Sequence, residues 1–336
     1  MVLVNLGPKE NRGEFAGSLP EHRRAVAASL VRGVCVLERC GTFEDLAPMW
    51  WEFFHFQLLE TLRDPDDSSI FGAIFQYKHF PQYRSQNVPR YIIAFRGTLI
   101  RRRTCTSDIK LDIRVLLHRL CVSSRYQVAI QAVENMVAKH GHSNMWLAGH
   151  SLGSAIALQV GKDMARKENF LETYLFNPPF PITPIERVRS QRLKDSLRYA
   201  RSFITARLAT AVKRSELLDR DDQYDANFVK LSSWIPHLFV NPGDPLCSEY
   251  IGYFEHREKM VAMGAAPIER VASQNSLVSL VSWAIGKLIE PTHLIPSAYL
   301  AINRSSSDQG TFKQAHCINQ WWKAKQDLEF KLYQLS

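Results

Sequence analysis

Apolar positions near the start of the chain recur at the intervals of an α-helix. Between Glu21 and Leu62 they follow a spacing of three and four residues and include several aromatic side chains. This spacing places apolar side chains on one side of a helix, from which they can pack onto a core. We therefore expect helices over Glu21 to Leu62 that cover the outside of the folded core.

Short apolar runs bounded by Pro, Gly and charged residues follow, and they alternate with helical patterns. Such runs, rich in β-branched and aromatic residues, are typical of buried strands. The predicted strands are Ile70 to Gln76, Tyr91 to Phe95, Met145 to Ala148, Thr173 to Phe176, Leu238 to Val240 and Ser297 to Ile302. The predicted helices between them are Ser124 to Lys139 and Leu152 to Arg166. This alternation predicts one α/β domain over residues 1–336, with a mostly parallel central sheet covered by helices on both faces.

A long helical pattern over residues 184–227 interrupts this alternation. Its apolar side carries Leu193, Leu197, Ala200, Ile204 and Leu208, and its other side carries Arg187, Arg192, Lys194, Arg198, Arg201 and Arg207. One interpretation is a helix that covers the sheet and turns its basic side to water. The other is a cap or lid-like insertion that touches anionic lipid, because cationic amphipathic helices rest on such surfaces.

The composition indicates a folded protein of the cytoplasm. Hydrophobic residues make up 46% of the 336 positions, so a large core can form. Charged residues from Lys9 to Glu14 interrupt the apolar segment that a secretory signal needs, and the apolar stretch near Trp283 is too short for a transmembrane helix. The six cysteines show neither disulfide nor zinc spacing, so we expect free thiols in a reducing compartment.

The formal net charge of +9 suggests an affinity for an anionic surface. Nucleic acid is not expected as a partner, because the sequence contains no recognised nucleic-acid-binding motif with interleaved aromatic residues. Peripheral contact with an anionic membrane stays open, and so does the oligomeric state.

The candidate nucleophile is Ser151, in the pattern Gly149-His150-Ser151-Leu152-Gly153. A predicted strand enters this pattern and a predicted helix leaves it, which is the arrangement that projects a serine above the edge of a sheet. The two glycines would let neighbouring elements approach the sharp turn. The N–H group of Leu152 would then point at the substrate oxygen. A glycine-rich turn that only opens a helix is the alternative interpretation.

A serine hydroxyl is a weak nucleophile and needs a base that a carboxylate holds in place. Asp244 is the candidate acid, because it lies in a turn directly after the predicted strand Leu238 to Val240, at the sheet edge where such folds hold ligands. The stretch Asn241 to Pro245 is also typical of an ordinary surface turn. Weaker candidates, which follow no predicted strand, are Asp219, Asp221, Asp222 and Asp225.

The base must be one of the later histidines, because the chain order for a nucleophile of this type is serine, acid, histidine. The candidates are His256, His293 and His316. We favour His316, which follows the last predicted strand and a serine-rich loop. His293 is the alternative base, although it precedes that strand and would emerge at the opposite end of the sheet unless the chain folds back. His150 is expected to be structural, since the turn determines its direction.

The segment Phe95 to Thr98 follows a predicted strand upstream of the nucleophile, in the place from which a second oxyanion donor comes. Gly97 would allow close backbone approach, and Thr98 could donate through its N–H group and its hydroxyl. We expect Arg96 to pair with Asp108 or Asp112 and to hold this loop rather than touch substrate.

Three segments together resemble the class 3 lipases, an α/β-hydrolase family that includes the fungal triacylglycerol lipases. They are Phe95 to Thr98, Gly149 to Ala155 and Asn241 to Pro245. Two more segments, Ile70 to Phe75 and Ala315 to Trp322, are similar to a plant branch whose members are often labelled GDSL esterase/lipase, although this chain contains no Gly-Asp-Ser-Leu. The resemblance extends over residues 14–333 and is weakest over residues 184–227.

The resemblance implies an α/β-hydrolase fold, a Ser/Asp/His triad and no metal or organic cofactor. It also implies hydrolysis of carboxylic esters of lipids through an acyl-enzyme. By motif, Ser151 is the nucleophile, Asp244 the acid, and Thr98 and Leu152 the oxyanion hole. The chain departs from the family after Thr98, where basic residues from Arg101 to Arg103 replace an apolar lid-like segment.

Two functions from different classes are therefore compared. The first is a serine esterase or lipase that acts on lipid-derived acyl esters. The second is a catalytically inactive, lipase-like signalling or scaffold protein that keeps the fold. The complete set of Ser151, Asp244 and His316 favours the enzyme. The sequence leaves open the preferred acyl chain and head group, and whether water or another acceptor takes the acyl group.

Overall fold

The structure, a computed structural model, describes residues 20–40, 50–78, 89–98, 117, 120–181, 193–194, 197–199, 202, 204–205, 230–265, 268, 293–305, 311–323 and 327–335. Within these ranges the strands form one eight-stranded sheet. Buried side chains form a hydrophobic core on each face of that sheet.

The strands lie in the sheet in the order of the sequence. They are β1 (Phe56–Arg63), β2 (Ile70–Tyr77), β3 (Tyr91–Phe95), β4 (Met145–His150), β5 (Glu172–Phe176), β6 (His237–Val240), β7 (Ala298–Asn303) and β8 (Leu328–Tyr333). Strands β1, β2 and β3 pair antiparallel, β3 to β7 run parallel, and β8 returns antiparallel to β7. The predicted α/β class and the mostly parallel centre are therefore confirmed.

Helices cover both faces of the sheet. The helices within the described ranges are α1 (Pro20–Cys40), α2 (Ser124–His140), α3 (Leu152–Arg166), α4 (Glu249–Ala262) and α5 (Phe312–Ala315), with 3₁₀ turns at Trp50–Phe54, Leu120–Val122 and Ile318–Trp322. Helix α1 shares a core with Trp321 and one face of the sheet, whereas α2, α3 and α4 pack on the other face. Two neighbours of α2 explain its ends: the Ser123 side chain accepts the N–H group of Tyr126, and Gly141 follows the last turn with a φ of 74°.

The central strands are apolar at most positions because both of their faces are buried. In β3, Ile92 and Ala94 belong to the core under α1, whereas Ile93 and Phe95 belong to the core under α3. Successive side chains of a strand point to opposite faces, so a sheet covered on both sides reads as a continuous apolar run. This is the physical reason that the central strands could be predicted from the sequence.

The prediction of helix over the whole of Glu21 to Leu62 was wrong at its C-terminal end. Residues Phe56–Arg63 form the edge strand β1, which pairs with β2 and contains a register shift between Leu58 and Glu60. The segment includes good helix formers, but its backbone pairs with β2, and tertiary pairing outweighs a local propensity of a few tenths of a kcal/mol per residue. Strand β8 was likewise not predicted.

The described residues of the 184–227 segment reverse the predicted orientation of its two sides. Leu193, Leu197 and Ile204 are 53%, 44% and 51% exposed. Arg198 is only 6% exposed, and its guanidinium lies 3.1 Å from the Glu249 carboxylate at the start of α4. A buried carboxylate needs a partner, so the ion pair brings the basic side inward at this position. The other residues predicted for the two sides, apart from Lys194, lie outside the described residues.

Within the described residues, Cys35, Cys247 and Cys317 carry free thiols. None of the helices within the described ranges combines the length and the hydrophobicity that a bilayer-spanning segment requires.

Candidate active site

Ser151 lies at the tight turn between β4 and α3, in the predicted arrangement of strand, turn and helix. Its backbone has a φ of 53°, which non-glycine residues rarely adopt and which strained nucleophile turns require. A Cβ atom at position 149 would lie 2.3 Å from the carbonyl oxygen of Gly153, and one at position 153 would lie 2.4 Å from that of Phe95. Both glycines are therefore required by backbone contacts.

The structure brings the three favoured residues into one hydrogen-bonded row. The Nε2 atom of His316 lies 3.0 Å from the Oγ atom of Ser151, and its Nδ1 atom lies 2.7 Å from Oδ2 of Asp244. All three side chains are buried, with Asp244 fully so. Ser151 directly follows β4 and Asp244 lies in the turn after β6, because parallel strands of one sheet end at the same edge, whereas His316 follows the short helix α5.

Asp244 is held as a carboxylate by the groups around it. Burial alone would raise the pKa of this carboxyl group, but the charge and hydrogen bond of His316, the N–H group of Leu246 and the amide of Asn177 outweigh it and lower the pKa. The Leu246 N–H group donates to Oδ1 at 3.0 Å. Burial and the nearby Asp244 raise the pKa of Cys247 well above its usual range, and the thiol lies 3.4 Å from Oδ2. The carboxylate therefore keeps its charge and its orientation.

The loop that carries His316 is fixed from both sides. Helix α5 begins with a capping box between Thr311 and Gln314, and His316 is the residue at its C-terminal end. After it, Gln320 donates from Nε2 to the carbonyl groups of Ala315 and Cys317, at 2.7 Å and 3.0 Å. Short helices on both sides of His316, rather than a strand, therefore hold its imidazole in place.

His293, the alternative base, lies elsewhere. Its ring is buried and packs edge-on against Phe180, with centroids 4.6 Å apart. The third histidine considered, His256, has Nε2 at 2.9 Å from the hydroxyl of Ser202. Of the three candidates, His316 is therefore the one within hydrogen-bond distance of Ser151. The weaker acid candidates Asp219, Asp221, Asp222 and Asp225 lie outside the described residues.

His150 connects the nucleophile turn to the histidine loop. Its Nε2 atom lies 2.7 Å from the carbonyl oxygen of His316, and the two rings are 4.9 Å apart. Burial, followed by the neighbouring His316, lowers the pKa of His150 from 6.5 to about 3. A neutral imidazole can donate one N–H group to that carbonyl, so the structural role expected for His150 has a specific contact.

The segment predicted to supply the second oxyanion donor lies directly against the nucleophile. A Cβ atom at Gly97 would lie 2.9 Å from the Cβ atom of Ser151, so only glycine allows this approach. Thr98 follows it and is exposed, and Leu152 is the buried first residue of α3. The first N–H groups of a helix have no partner within the helix and point to the site of a developing negative charge.

Arg96 holds this segment, as predicted, but through a partner that was not predicted. Its guanidinium donates to the carbonyl groups of Ile70 and Gly97, at 2.5 Å and 2.9 Å, and lies 3.4 Å from the Glu38 carboxylate of α1. The expected partners Asp108 and Asp112 lie outside the described residues. The carboxylate of α1 is more than fifty positions away in the sequence, which is why no local pattern pointed to it.

Asn177 is the residue of this site that sequence reasoning missed. It follows β5, and its Nδ2 atom lies 2.7 Å from Oδ2 of Asp244. Its backbone φ is 48°, a value for which asparagine is favoured among residues with a side chain. The signal in the sequence was an asparagine before Pro178 and Pro179 at the end of a predicted parallel strand, the same kind of position that suggested Asp244.

Within the described residues, no group of three or more His, Cys, Asp or Glu side chains could hold a metal ion. The row of Ser151, His316 and Asp244 is an arrangement in which a serine hydroxyl can act as a nucleophile with a histidine base.

Comparisons with known proteins agree with the resemblance drawn from the sequence. The profile of the family described as Lipase (class 3) matches residues 85–181, which include β3, the Ser151 turn and Asn177. The protein named GDSL esterase/lipase At4g10955, from Arabidopsis thaliana, is 47% identical over 329 residues, which cover 93% of this chain and 92% of that protein. The chain belongs to the class 3 lipase family. This class 3 lipase is accordingly a carboxylic ester hydrolase.

A lipase from Rhizopus microsporus var. chinensis is a more distant similarity among solved structures. It is 14% identical, the match covers 66% of this chain and 68% of that chain, and the TM-score is 0.32. The α/β fold of the class 3 lipase described here follows from its own strand order.

Proposed function

We propose that this class 3 lipase hydrolyses carboxylic esters of lipids through an acyl-enzyme formed on Ser151. The observation that carries the proposal is the hydrogen-bonded row from Ser151 through His316 to Asp244, with distances of 3.0 Å and 2.7 Å. In such a row the imidazole takes the proton of the hydroxyl, and the carboxylate stabilises the imidazolium that forms.

The reaction has two steps with the same residues. In the first, Oγ of Ser151 attacks the ester carbonyl while His316 takes its proton; the imidazolium then protonates the departing alkoxide, which leaves as an alcohol. In the second, His316 takes a proton from water, the hydroxide attacks the acyl-enzyme, and the proton returns to Oγ as the acid leaves. Asp244 stays ionised throughout, which its lowered pKa supports.

The N–H groups of Leu152 and Thr98 are proposed as the donors to the oxyanion of each tetrahedral intermediate. Leu152 begins α3, whose N-terminal dipole also favours negative charge. Removing one donor of this kind costs about 100- to 1,000-fold in kcat. The close approach of Gly97 to Ser151 supports Thr98 as the second donor, because it brings the loop to the nucleophile.

The test of the function is covalent labelling of the folded protein with a fluorophosphonate. Wild type is expected to take up one label per chain and to hydrolyse short-chain model esters. Ser151→Ala should lose both properties, whereas the control Ser233→Ala, at an exposed serine outside this site, should keep the label. A folded wild-type protein that takes up no label would instead favour the inactive scaffold function.

The segment over residues 184–227 is proposed as a cap that contacts the surface of anionic lipid assemblies. The support is the exposed apolar row of Leu193, Leu197 and Ile204, together with the formal net charge of +9 of the chain. Apolar side chains that enter a lipid surface next to cationic groups are typical of proteins that bind reversibly at that surface. The expected location is therefore the cytoplasm, with peripheral contact to membranes.

Binding to vesicles tests this contact. We expect sedimentation with vesicles of phosphatidylglycerol and phosphatidylcholine, and a decrease when Leu193, Leu197 and Ile204 are all replaced by Asn. The control replaces Phe330 and Leu332, which are exposed on the edge strand β8, by Asn. Equal binding of wild type and the triple variant would remove the proposed cap contact. A chain-length series of esters with and without detergent micelles would then distinguish an esterase from a lipase.

A further inference from the structure

The backbone of Asn177 connects two strands that carry candidate catalytic residues. Its own N–H group donates to the carbonyl of Phe239 in β6 at 2.9 Å. The preceding carbonyl, of Phe176, accepts the N–H group of Ser151 at 3.0 Å. Asn177 therefore lies between the strand that leads to Asp244 and the turn that carries the nucleophile.

The side-chain amide of Asn177 uses both of its ends. Its Nδ2 atom donates to Oδ2 of Asp244 at 2.7 Å and to the carbonyl of Ala315 at 3.0 Å. Its Oδ1 atom accepts the indole N–H group of Trp321 at 2.6 Å. Asn177, Asp244 and Trp321 are each fully buried. No water competes for these bonds at full burial, so each has a well-defined direction.

Trp321 determines which way the amide points. An indole nitrogen can only donate, and a carbonyl or a carboxylate can only accept, so the oxygen of the amide must face Trp321 and its nitrogen must face Asp244 and Ala315. The Asp244 atom that receives this N–H group, Oδ2, is also the atom that lies 2.7 Å from Nδ1 of His316. Ala315 is the residue immediately before His316. One amide thus contacts the acid and the chain segment that presents the base.

A buried asparagine whose bonds are all satisfied is common, and such a residue only stabilises the fold. The difference here is that Nδ2 donates to Asp244, a member of the catalytic row proposed above, and to the carbonyl of the residue directly before another member, His316. We propose that Asn177 is a positioning residue, which holds the Asp244 carboxylate and the His316 loop at their mutual distance through a single amide oriented by Trp321. This inference rests on the proposed function.

Two substitutions separate this role from backbone strain. Aspartate and glycine both tolerate a positive φ, so neither Asn177→Asp nor Asn177→Gly adds strain at the φ of 48°. Asn177→Asp keeps the size and the acceptor for Trp321 but replaces the donor to Asp244 by an acceptor. Asn177→Gly removes the amide. The matched control is Asn169→Asp, the same exchange near the other end of β5, where the side chain is partly buried and donates to the carbonyl of Lys167 at 3.1 Å.

The readout is kcat per active site. The concentration of active sites is determined by titrating a separate sample with a fluorophosphonate. Loss of a hydrogen bond to a charged group predicts a decrease in kcat of about 10- to 100-fold in both Asn177 variants. KM should stay within about twofold, because the amide touches no substrate and acts only when the proton moves. The rate constant of labelling should fall in parallel with kcat, and Asn169→Asp should match wild type.

Trp321→Phe provides a second line of evidence, because it keeps an aromatic ring in the core and removes the indole N–H group; the smaller ring also lowers stability, so kcat is compared per titrated site. Its kcat should lie between those of wild type and Asn177→Gly. Adding Trp321→Phe to Asn177→Gly should lower kcat by no more than about twofold further, since both changes act through one amide.

The results that would overturn the proposal are distinct from those that would overturn the function. Asn177 variants with wild-type kcat per titrated site would refute the positioning role, even if their thermal stability fell. An equal loss in Asn169→Asp would also refute it. If wild type itself neither takes up the label nor hydrolyses esters, the proposed function fails, and the positioning role with it.

Discussion

Replacing His150 by glutamine tests the electrostatic description of the site through stability. The Nε2 atom of His150 lies 2.7 Å from the carbonyl oxygen of His316, and its pKa is lowered from 6.5 to about 3 by burial and by the His316 ring. Glutamine carries an amide N–H group at a similar reach and does not titrate in this range. The variant therefore keeps a donor to the carbonyl and removes only the protonation.

The sign of the effect follows from the direction of the shift. Between pH 6.5 and about pH 3 the unfolded chain binds a proton at His150 that the folded protein does not bind. The stability contributed by the neutral ring is therefore complete above the unfolded pKa and is lost as the pH falls. From about pH 7.5 to about pH 5 this loss is about 2 kcal/mol, and any folded pKa below about 4 gives nearly the same figure.

The assay is urea unfolding followed by tryptophan fluorescence at both pH values. Other histidines also contribute to the pH dependence of wild type, so the quantity to compare is the loss of unfolding free energy in each protein. We expect wild type to lose about 2 kcal/mol more than His150→Gln. Equal losses in the two proteins would show that the folded state protonates His150 freely, and the reasoning about its buried, neutral state would be refuted.

Two further changes have direct expectations. Asp244→Asn should lower kcat by about 1,000- to 10,000-fold at nearly unchanged KM, because the imidazolium of His316 loses its counter-charge and the tautomer of the neutral ring is no longer selected. Steady-state kinetics on a model ester measures this change, and a loss of kcat below about tenfold would contradict the role of the acid. Gly153→Ala should abolish the cooperative thermal transition or lower its midpoint strongly, since the new Cβ atom would lie 2.4 Å from the backbone oxygen of Phe95. Circular dichroism as a function of temperature measures this midpoint, and an unchanged value would refute the close contact.

Much of the site could be predicted from the sequence because its requirements are local. The turn at Ser151 needs glycines where backbone atoms meet, and these stand at fixed offsets from the serine. The position of Asp244 after a predicted strand followed from the rule that parallel strands of one sheet end at one edge. The central strands were recognisable since burial on both faces makes most of their positions apolar.

The wrong or missing predictions share a different cause. Residues Phe56–Arg63 became a strand because β2 offered a pairing partner, although their own composition also suits a helix. Arg198 turned inward because the carboxylate of Glu249 lies buried beside it. Arg96 pairs with Glu38, which lies on α1, more than fifty positions earlier in the chain. In each case a partner distant in the chain decided the outcome.

The sequence by itself determined the α/β class, the nucleophile turn and the types of residue that could complete a triad, because periodicity and glycine spacing record the conformational preferences of neighbouring residues. The tertiary structure alone decided between His316 and His293 as the residue beside Ser151, and it alone brought Asn177 to Asp244 and Trp321 to Asn177. The reason is that these contacts join residues more than sixty positions apart, and only the order and direction of the strands place them at one edge.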